Sequence, residues 1–436
     1  MKYCFWFFLF LCVALPGFGI EDFSSDPAVQ KLTWAQCVEE TARRNPDLES
    51  TWQSFQNADF SRKASYSDFF PQLSAGASGE RSHNATSSSG GGFSSSGGGR
   101  EYTTEYTANL TLQQMLFDGF KTKGNVDQAR AKANLALATL AQEKAVVSYE
   151  LKSAFAQLLY AQEFVGISQD IVDRRELNAR LVELRYDSGK ENKGALLLSE
   201  ANLTQASSDL GQAQRNLDVS QRQLSSVMGR DVFAPMVIEG ELETAPVTPQ
   251  PDFQTLVAKT PSHFQREAES KASAAGITLA QSAWYPQVNG TASTTVRGDQ
   301  LVPNNDGWSV GVTGSLNVFD WGKTYFNVRA ARASLLQSLA TLRSNDNDTA
   351  VSLAKDFASM IDAIEKVRVE KEKMEAYSLR VKIAEEQYRN GLISFQDFET
   401  ITNDYINQQR TTLTSRRDAV IAEANWEQSR GVGVIP

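Results

Sequence analysis

Two short stretches, Leu116-Phe117-Asp118-Gly119-Phe120-Lys121 and Val318-Phe319-Asp320-Trp321-Gly322-Lys323, each stand where the hydrophobic period of the chain changes. Before each one, apolar residues alternate at every second position, as on a strand with two unlike faces. After each runs a long Ala- and Leu-rich segment, studded with charges and free of proline, which predicts helix. A chain that twice turns a two-faced strand into a very long helix must satisfy two solvents. Lipid around the strands and water around the helices meets that demand.

The rest of the chain repeats in the same order. Asn45-Pro46 opens a helical segment ending at Phe69-Phe70-Pro71-Gln72-Leu73, and Thr260-Pro261 opens a matching one ending at Trp284-Tyr285-Pro286-Gln287-Val288. Beyond the Phe-Asp junctions, Val126, Ala129 and Ala131 correspond to Val328, Ala331 and Ala333, and Tyr186-Asp187-Ser188-Gly189 corresponds to Tyr388-Arg389-Asn390-Gly391. Self-similarity in fixed order marks a tandem duplication. The expected division is a first repeat over 20–230, a linker over 231–251, a second repeat over 252–430 and a tail over 431–436.

Residues 1–19 read as a secretory leader, with Lys2 ahead of an apolar run from Phe5 to Ala14 and Gly17-Phe18-Gly19 as a small-x-small cleavage site. Pro16 and Gly17 interrupt the run well before the ~20 residues a retained anchor would need. Cys4 and Cys12 belong to that leader, so Cys37 alone remains and no internal disulfide is expected. Leu11 precedes Cys12 where a lipidation site wants a small residue. The net charge of −9 argues against a nucleic-acid partner. The two histidines, His83 and His263, lie in unlike settings and offer no shared metal or catalytic site. Paired carboxylates, a nucleophile motif and a phosphate loop are not found, and the glycines of 90–99 lead into a strand where a phosphate loop would open a helix. The reading is of a protein that is not an enzyme and has no cofactor.

Each repeat carries a strand pair, about 72–82 with 102–117 and about 287–298 with 308–319. Tyr102, Thr104, Tyr106, Ala108, Leu110 and Leu112 alternate with Thr103, Glu105, Thr107, Asn109, Thr111 and Gln113, and Trp308, Val310 and Val312 alternate with Ser309, Gly311 and Thr313. Strands of about ten residues with one apolar face, and aromatics at their ends (Phe69, Phe70, Tyr102, Trp284, Tyr285, Trp308), suit a membrane barrel. A soluble sandwich would need more strands than two pairs. Four strands cannot close a barrel in lipid, so two or more chains must share one. The Ser/Gly tract 83–99 and the shorter 299–306 would be its external loops.

Helical hairpins follow at about 118–228 and 320–430. The first long helix has ~65 residues, roughly 100 Å at the usual rise, too long for one globular core, so coiled-coil packing is expected, with Leu135, Leu137, Leu140, Val147, Leu151, Phe155, Leu158 and Leu159 as seam. Gly189 and Gly391 suit the left-handed position that ends a helix. Ser394 to Asp397 resembles a capping box. Asp118 and Asp320 are expected to cap the long helices.

The duplicated Phe-Asp-(Gly/Trp) junctions, the Pro-Gln strand starts after aromatics and the Tyr-x-x-Gly at both tips resemble the outer membrane factor family, the TolC-like exit ducts of Gram-negative bacteria, from about Leu32 to Arg430. That resemblance implies a mixed α/β membrane protein: a homotrimer pooling about twelve strands into one barrel and about twelve helices into a periplasmic tunnel. It implies a passive duct for efflux or type I secretion in the outer membrane, meeting a periplasmic adaptor at the hairpin tips (Gly189, Gly391, Ser394) and an inner-membrane RND or ABC pump. It implies an entrance near Tyr388, Ile393, Asp397 and Glu399. Asp397 falls on a family acidic position; the next falls on Thr400, one residue after Glu399. The family's gate latch joins a tyrosine, an arginine and an aspartate. Tyr388 matches the tyrosine, whereas Ile393 and Ala195 stand at the other two positions, so packing of Leu392, Ile393 and Phe395 is expected to hold the entrance. The junctions Phe117-Asp118 and Phe319-Asp320 would mark the barrel's periplasmic rim. The competing class is a trimeric coiled-coil stalk or adhesin without an open channel, although such stalks rarely carry a duplicated hairpin-and-strand-pair layout.

Overall fold

The computed structural model describes residues 30–84, 101–244 and 249–435. The leader over 1–19 and most of the Ser/Gly loop lie outside the described residues. In chain order the elements are β1 (Gln30–Thr33), α1 (Trp34–Arg44), α2 (Pro46–Ala64), β2 (Gln72–Asn84), β3 (Glu101–Phe117), α3 (Lys121–Asp187), α4 (Lys193–Val227), β4 (Met236–Glu239), α5 (Phe253–Val257), α6 (Pro261–Gln281), β5 (Gln287–Gly298), β6 (Asn305–Ser315), α7 (Lys323–Arg389) and α8 (Phe395–Ser429). The duplication is visible at once: α3 and α7 each have 67 residues and α4 and α8 each have 35. A 67-residue helix spans about 100 Å.

The long helices are held by packing, since helices gain little from propensity alone. α3 packs against both its hairpin partner α4 and the second hairpin's α8, while α6 is inserted between α3 and α7. Along the hairpins the side-by-side order is therefore α4-α3-α8-α7, and nearer the sheet it is α2-α3-α6-α7. Of the expected seam, Leu140, Val147, Leu151, Phe155, Leu158 and Leu159 are buried, whereas Leu137 is exposed. A band around the middle of the hairpins carries the largest core. There Trp34 packs edge-on against Phe155 with centroids 5.0 Å apart, and Leu32, Met236 and Ile238 close over Leu151, Leu158 and Leu224. The connecting segment contributes to this core directly, because β4 pairs in parallel with β1. Cys37 is fully buried in the same cluster, and burial pushes its thiol up to about 11, which keeps it unreactive. A counterpart cluster joins Phe253, Phe357 and Trp426. The chain's last residues return to the first repeat: Ile435 is buried beside Leu48 and Val147, and its N–H donates to Ser148 Oγ at 3.3 Å.

The four long strands form one antiparallel sheet in the order β2-β3-β5-β6. Trp308, Val310 and Val312 stand exposed on one face of β6. No described helix is long and apolar enough to cross a membrane. The last strand was expected to run to Phe319, yet its pairing stops at Ser315 opposite Gln287. The corresponding end of β3 remains a strand because β5 pairs with it, Gln114 with Gly290, Met115 with Asn289 and Phe117 with Val288. Leu316 to Phe319 overrun the start of β5, and among the described residues no strand lies on their other side.

Both strand-to-helix junctions make the same tight turn. Lys121 N–H donates to the Asp118 carbonyl at 3.3 Å, and Lys323 N–H to the Asp320 carbonyl at 3.1 Å. The two residues between have positive φ in each copy, +67° and +72° at Gly119 and Phe120, +56° and +79° at Trp321 and Gly322. That is the backbone of a type I′ turn, which costs an ordinary side chain about 1 kcal/mol per left-handed residue. The helix cap positions are thus Phe120 and Gly322, not the aspartates. Asp118 and Asp320 reach over the turn instead: their carboxylates accept the N–H of Thr122 at 2.6 Å and of Thr324 at 2.8 Å, together with each threonine hydroxyl. They satisfy orphan amide groups of the first helical turn from two residues further back.

Gly119 cannot be exchanged. A Cβ there would lie 2.7 Å from both the Ser282 carbonyl oxygen and Tyr285 Cβ. Gly119→Ala is expected to destabilise the fold by roughly 2 kcal/mol or more, from the left-handed backbone and the clash together, read as a lowered midpoint in circular-dichroism melting.

Candidate functional site

The two hairpin tips lie side by side, and the chemistry-bearing residues of the long helices gather there. Each outgoing helix ends in a left-handed glycine, Gly189 at φ +71° and Gly391 at φ +75°. Crossed backbone bonds secure both ends: Gly189 N–H and Lys190 N–H donate to Tyr186 and Arg185, and Gly391 N–H and Leu392 N–H donate to Tyr388 and Gln387. The return helices start on capping side chains, Asn192 Oδ1 accepting from Ala195 N–H at 2.9 Å and Ser394 Oγ accepting from Asp397 N–H at 3.1 Å. The Ser394 hydroxyl in turn donates to Asp397 Oδ2 at 2.7 Å. Gly189, Gly391, Ser394 and Asp397 are all exposed.

Tyr388 is the centre of the tip. It is fully buried, with its ring stacked on Phe398 at 4.6 Å and 2° between planes. The Arg185 guanidinium lies 4.6 Å from the ring centroid and donates to the Tyr388 carbonyl at 2.8 Å. The phenol donates to Glu191 Oε2 at 3.0 Å. Burial first, and then the hydrogen bond to the Glu191 carboxylate, push the phenol well above its ordinary range, so it stays protonated. Val182, Ala195 and Ala384 complete the cluster, with Ile393 and Phe395 packed against it. The positions where an arginine and an aspartate were sought, Ile393 and Ala195, therefore fill volume. The charges come from Arg185 and Glu191 on the first hairpin, two residues that sequence reasoning missed. Their signal was positional: Arg185 immediately precedes the Tyr-x-x-Gly motif and Glu191 lies two residues after its glycine.

Glu399, sought as a further acid of the entrance, points inward. Its carboxylate accepts from Arg175 at 2.8 and 3.0 Å, from Asn202 at 2.8 Å and from Asn403 at 3.0 Å. Both members of the ion pair are buried, their side chains 7% and 8% exposed. This network ties α3, α4 and α8 together just above the tip. Removing one member of such a pair costs about 3–5 kcal/mol, because the other charge is left buried and alone. Further polar links continue up the hairpins, Arg174 to Glu385, Arg410 to Asp209 at 2.8 Å, Arg416 to Glu163 at 2.8 Å and Lys152 to Glu427 at 3.0 Å. Asp397 is the solvent-facing acid of this set. At the other end of the molecule, Phe117 stacks edge-on with Phe120 and Tyr285, whereas Phe319 meets Trp321.

Among the described residues no three His, Cys, Asp or Glu side chains gather as a metal-ligand set. The arrangement offers a wall, two edges and a tied tip.

Comparison with known proteins fits this geometry. The model of the outer membrane efflux protein family matches the chain twice, over residues 37–230 and 254–432. The chain is 22% identical over 426 residues to the probable outer membrane lipoprotein SilC of Salmonella typhimurium, covering 96% of this chain and 88% of that one. It is 20% identical over 328 residues to the outer membrane efflux protein BepC of Brucella suis biovar 1 (strain 1330), covering 74% and 71%. Among solved structures it is similar to CusC, studied for folding and transmembrane channel formation, with a TM-score of 0.79 at 16% identity over 95% of this chain and 99% of that one. The chain belongs to the outer membrane efflux protein family.

Proposed function

We propose that three copies of this chain form the outer-membrane exit duct of a tripartite efflux or type I secretion system. The observation that carries the reading is the incompleteness of the single chain. Its sheet ends in two unpaired edges, β2 and β6, and its helix row ends in two exposed flanks, α4 and α7. In hydrocarbon an open edge leaves backbone groups without partners, so only closure with other copies suits the strands. Leu336, Val351, Leu379 and Ile383 are exposed along α7, and Leu197, Leu198 and Val219 along α4. These faces suit one another across a seam between copies, as coiled-coil surfaces do.

The duct is passive. A periplasmic adaptor meets the hairpin tips around Gly189, Gly391 and Ser394, and an inner-membrane RND or ABC pump supplies the work. The chain's own residues provide a continuous wall, a latch and a charge at the mouth. Tyr388, Glu191 and Arg185 latch the two tips of each chain to each other, and Asp397, repeated in each copy, places an acidic ring where cations collect.

Purified protein added to a planar bilayer is expected to give discrete, cation-favouring conductance. A sealed stalk would give none, and silence at protein levels that insert would reject the duct. Tyr388→Phe keeps the stack on Phe398 but loses the bond to Glu191, and should shift the closed–open balance by about tenfold, read as a rise in open probability. Asp397→Ala should weaken block by divalent cations. Unchanged block would leave Asp397 with capping alone.

A further inference from the structure

The two junctions are copies of one turn, but only the first has its neighbour within the chain. Offsets in the duplicated sequence match Gly119 with Trp321, Phe120 with Gly322, Ser282 with Ser67 and Tyr285 with Phe70. At the first junction the Ser282–Tyr285 segment closes over the turn. Tyr285 lies edge-on to Phe120 at 6.1 Å and to Phe117 at 6.4 Å, and glycine is required at 119 by the 2.7 Å approach of the Ser282 carbonyl. At the second junction the corresponding space is empty in one copy. Val318, Phe319 and Trp321 are 89%, 72% and 88% exposed. On the opposite edge of the same sheet, Phe70 and Leu73 are 64% and 65% exposed.

We infer that Trp321 is a wedge between copies of this chain, its indole laid against the Ser67–Phe70 segment of the neighbouring copy. The inference rests on the shared-barrel reading. Carrying the β3–β5 register across by the same offsets sets Leu316 opposite Ala75, Asn317 opposite Ser74 and Phe319 opposite Leu73 of the neighbour. That pairing extends β6 through the residues whose ladder is missing. The aromatic that meets the neighbour has moved one place along the turn, from the Phe120 position to 321. A side chain now fills the space that Gly119 leaves vacant, so the neighbour cannot approach as closely as Ser282 and Tyr285 do. Junctions within chains are tight and junctions between chains are held apart by an indole, so the rim alternates narrow and wide gaps. This also accounts for a tryptophan kept at a left-handed position, φ +56°, where its ring contact within the chain is with Phe319.

The test is disulfide mapping of the full-length protein in outer-membrane vesicles under copper phenanthroline. Trp321→Cys combined with Phe70→Cys should give dimer and trimer bands on non-reducing gels, absent from either single variant. Phe120→Cys with Tyr285→Cys should cross-link within the monomer. Trp321→Cys with Leu301→Cys, at the far end of the sheet, should not react. Trp321→Gly should lower the temperature at which the oligomer dissociates in detergent, by 10 °C or more, with Phe120→Gly leaving it unchanged. Native mass spectrometry separates the two levels of the claim. An intact trimer without the 321–70 cross-link, or one indifferent to Trp321→Gly, overturns the wedge and leaves the shared barrel standing. A monomer in lipid overturns both.

Discussion

A backbone group without a hydrogen-bond partner costs several kcal/mol in hydrocarbon, and the structure is arranged around that cost. The four strands satisfy one another except along β2 and β6, where the chain ends its sheet without ending its demand for partners. Below the sheet, α4 and α7 likewise carry exposed apolar residues, Leu197 and Leu198 on the one and Leu379 and Ile383 on the other. The two Phe-Asp turns sit where the backbone changes its hydrogen-bond partners. Above them the ladder between strands satisfies the backbone; below them each helix does so for itself. The aspartates answer the one set of amide groups that falls between these regimes.

The tip obeys a different economy of interactions. In water, ion pairs on the surface contribute little, but the Arg175–Glu399 pair is buried, and Glu399 accepts from Arg175 on α3 and Asn202 on α4 as well as from Asn403 on its own helix. The neighbouring Tyr388 group binds the second hairpin's end to the first through one phenol, one guanidinium and one carboxylate. Both sets lie within a single chain. A tip built in this way resists separation of its own two hairpins, because parting them would leave buried charges alone.

The duplication, the strand pairs, the hairpins and their tip glycines were all legible in the sequence, because each rests on period, spacing or one residue's backbone freedom. The turn at the junction was legible as a boundary but not as a type I′ turn, since Phe120 and Trp321 are residues that local rules keep out of left-handed conformations. The end of β6 was misread because alternation over Trp308 to Val318 reports which faces are apolar and says nothing about whether a partner strand is at hand. At the tip, Tyr388 could be found by its motif. Arg185 and Glu191 could not, because they meet Tyr388 across about 200 residues of sequence through packing of one hairpin on another. Glu399 illustrates the converse: its type suggested a charge facing solvent, and only the helix packing shows the face it occupies.

The tail described above has a consequence for how the molecule is made. Ile435 reaches back 287 residues to Ser148, and β1 finds its partner only in the segment joining the repeats, with Gln30 opposite Met236. Contacts so distant in sequence form late, since long loops must close before they are rewarded. The first repeat can therefore gain its helices early but cannot finish its central core until the connecting segment's Met236 and the second repeat's Leu413 and Val420 have arrived. The middle of the molecule stays open until both repeats are present, and closes there only as one whole.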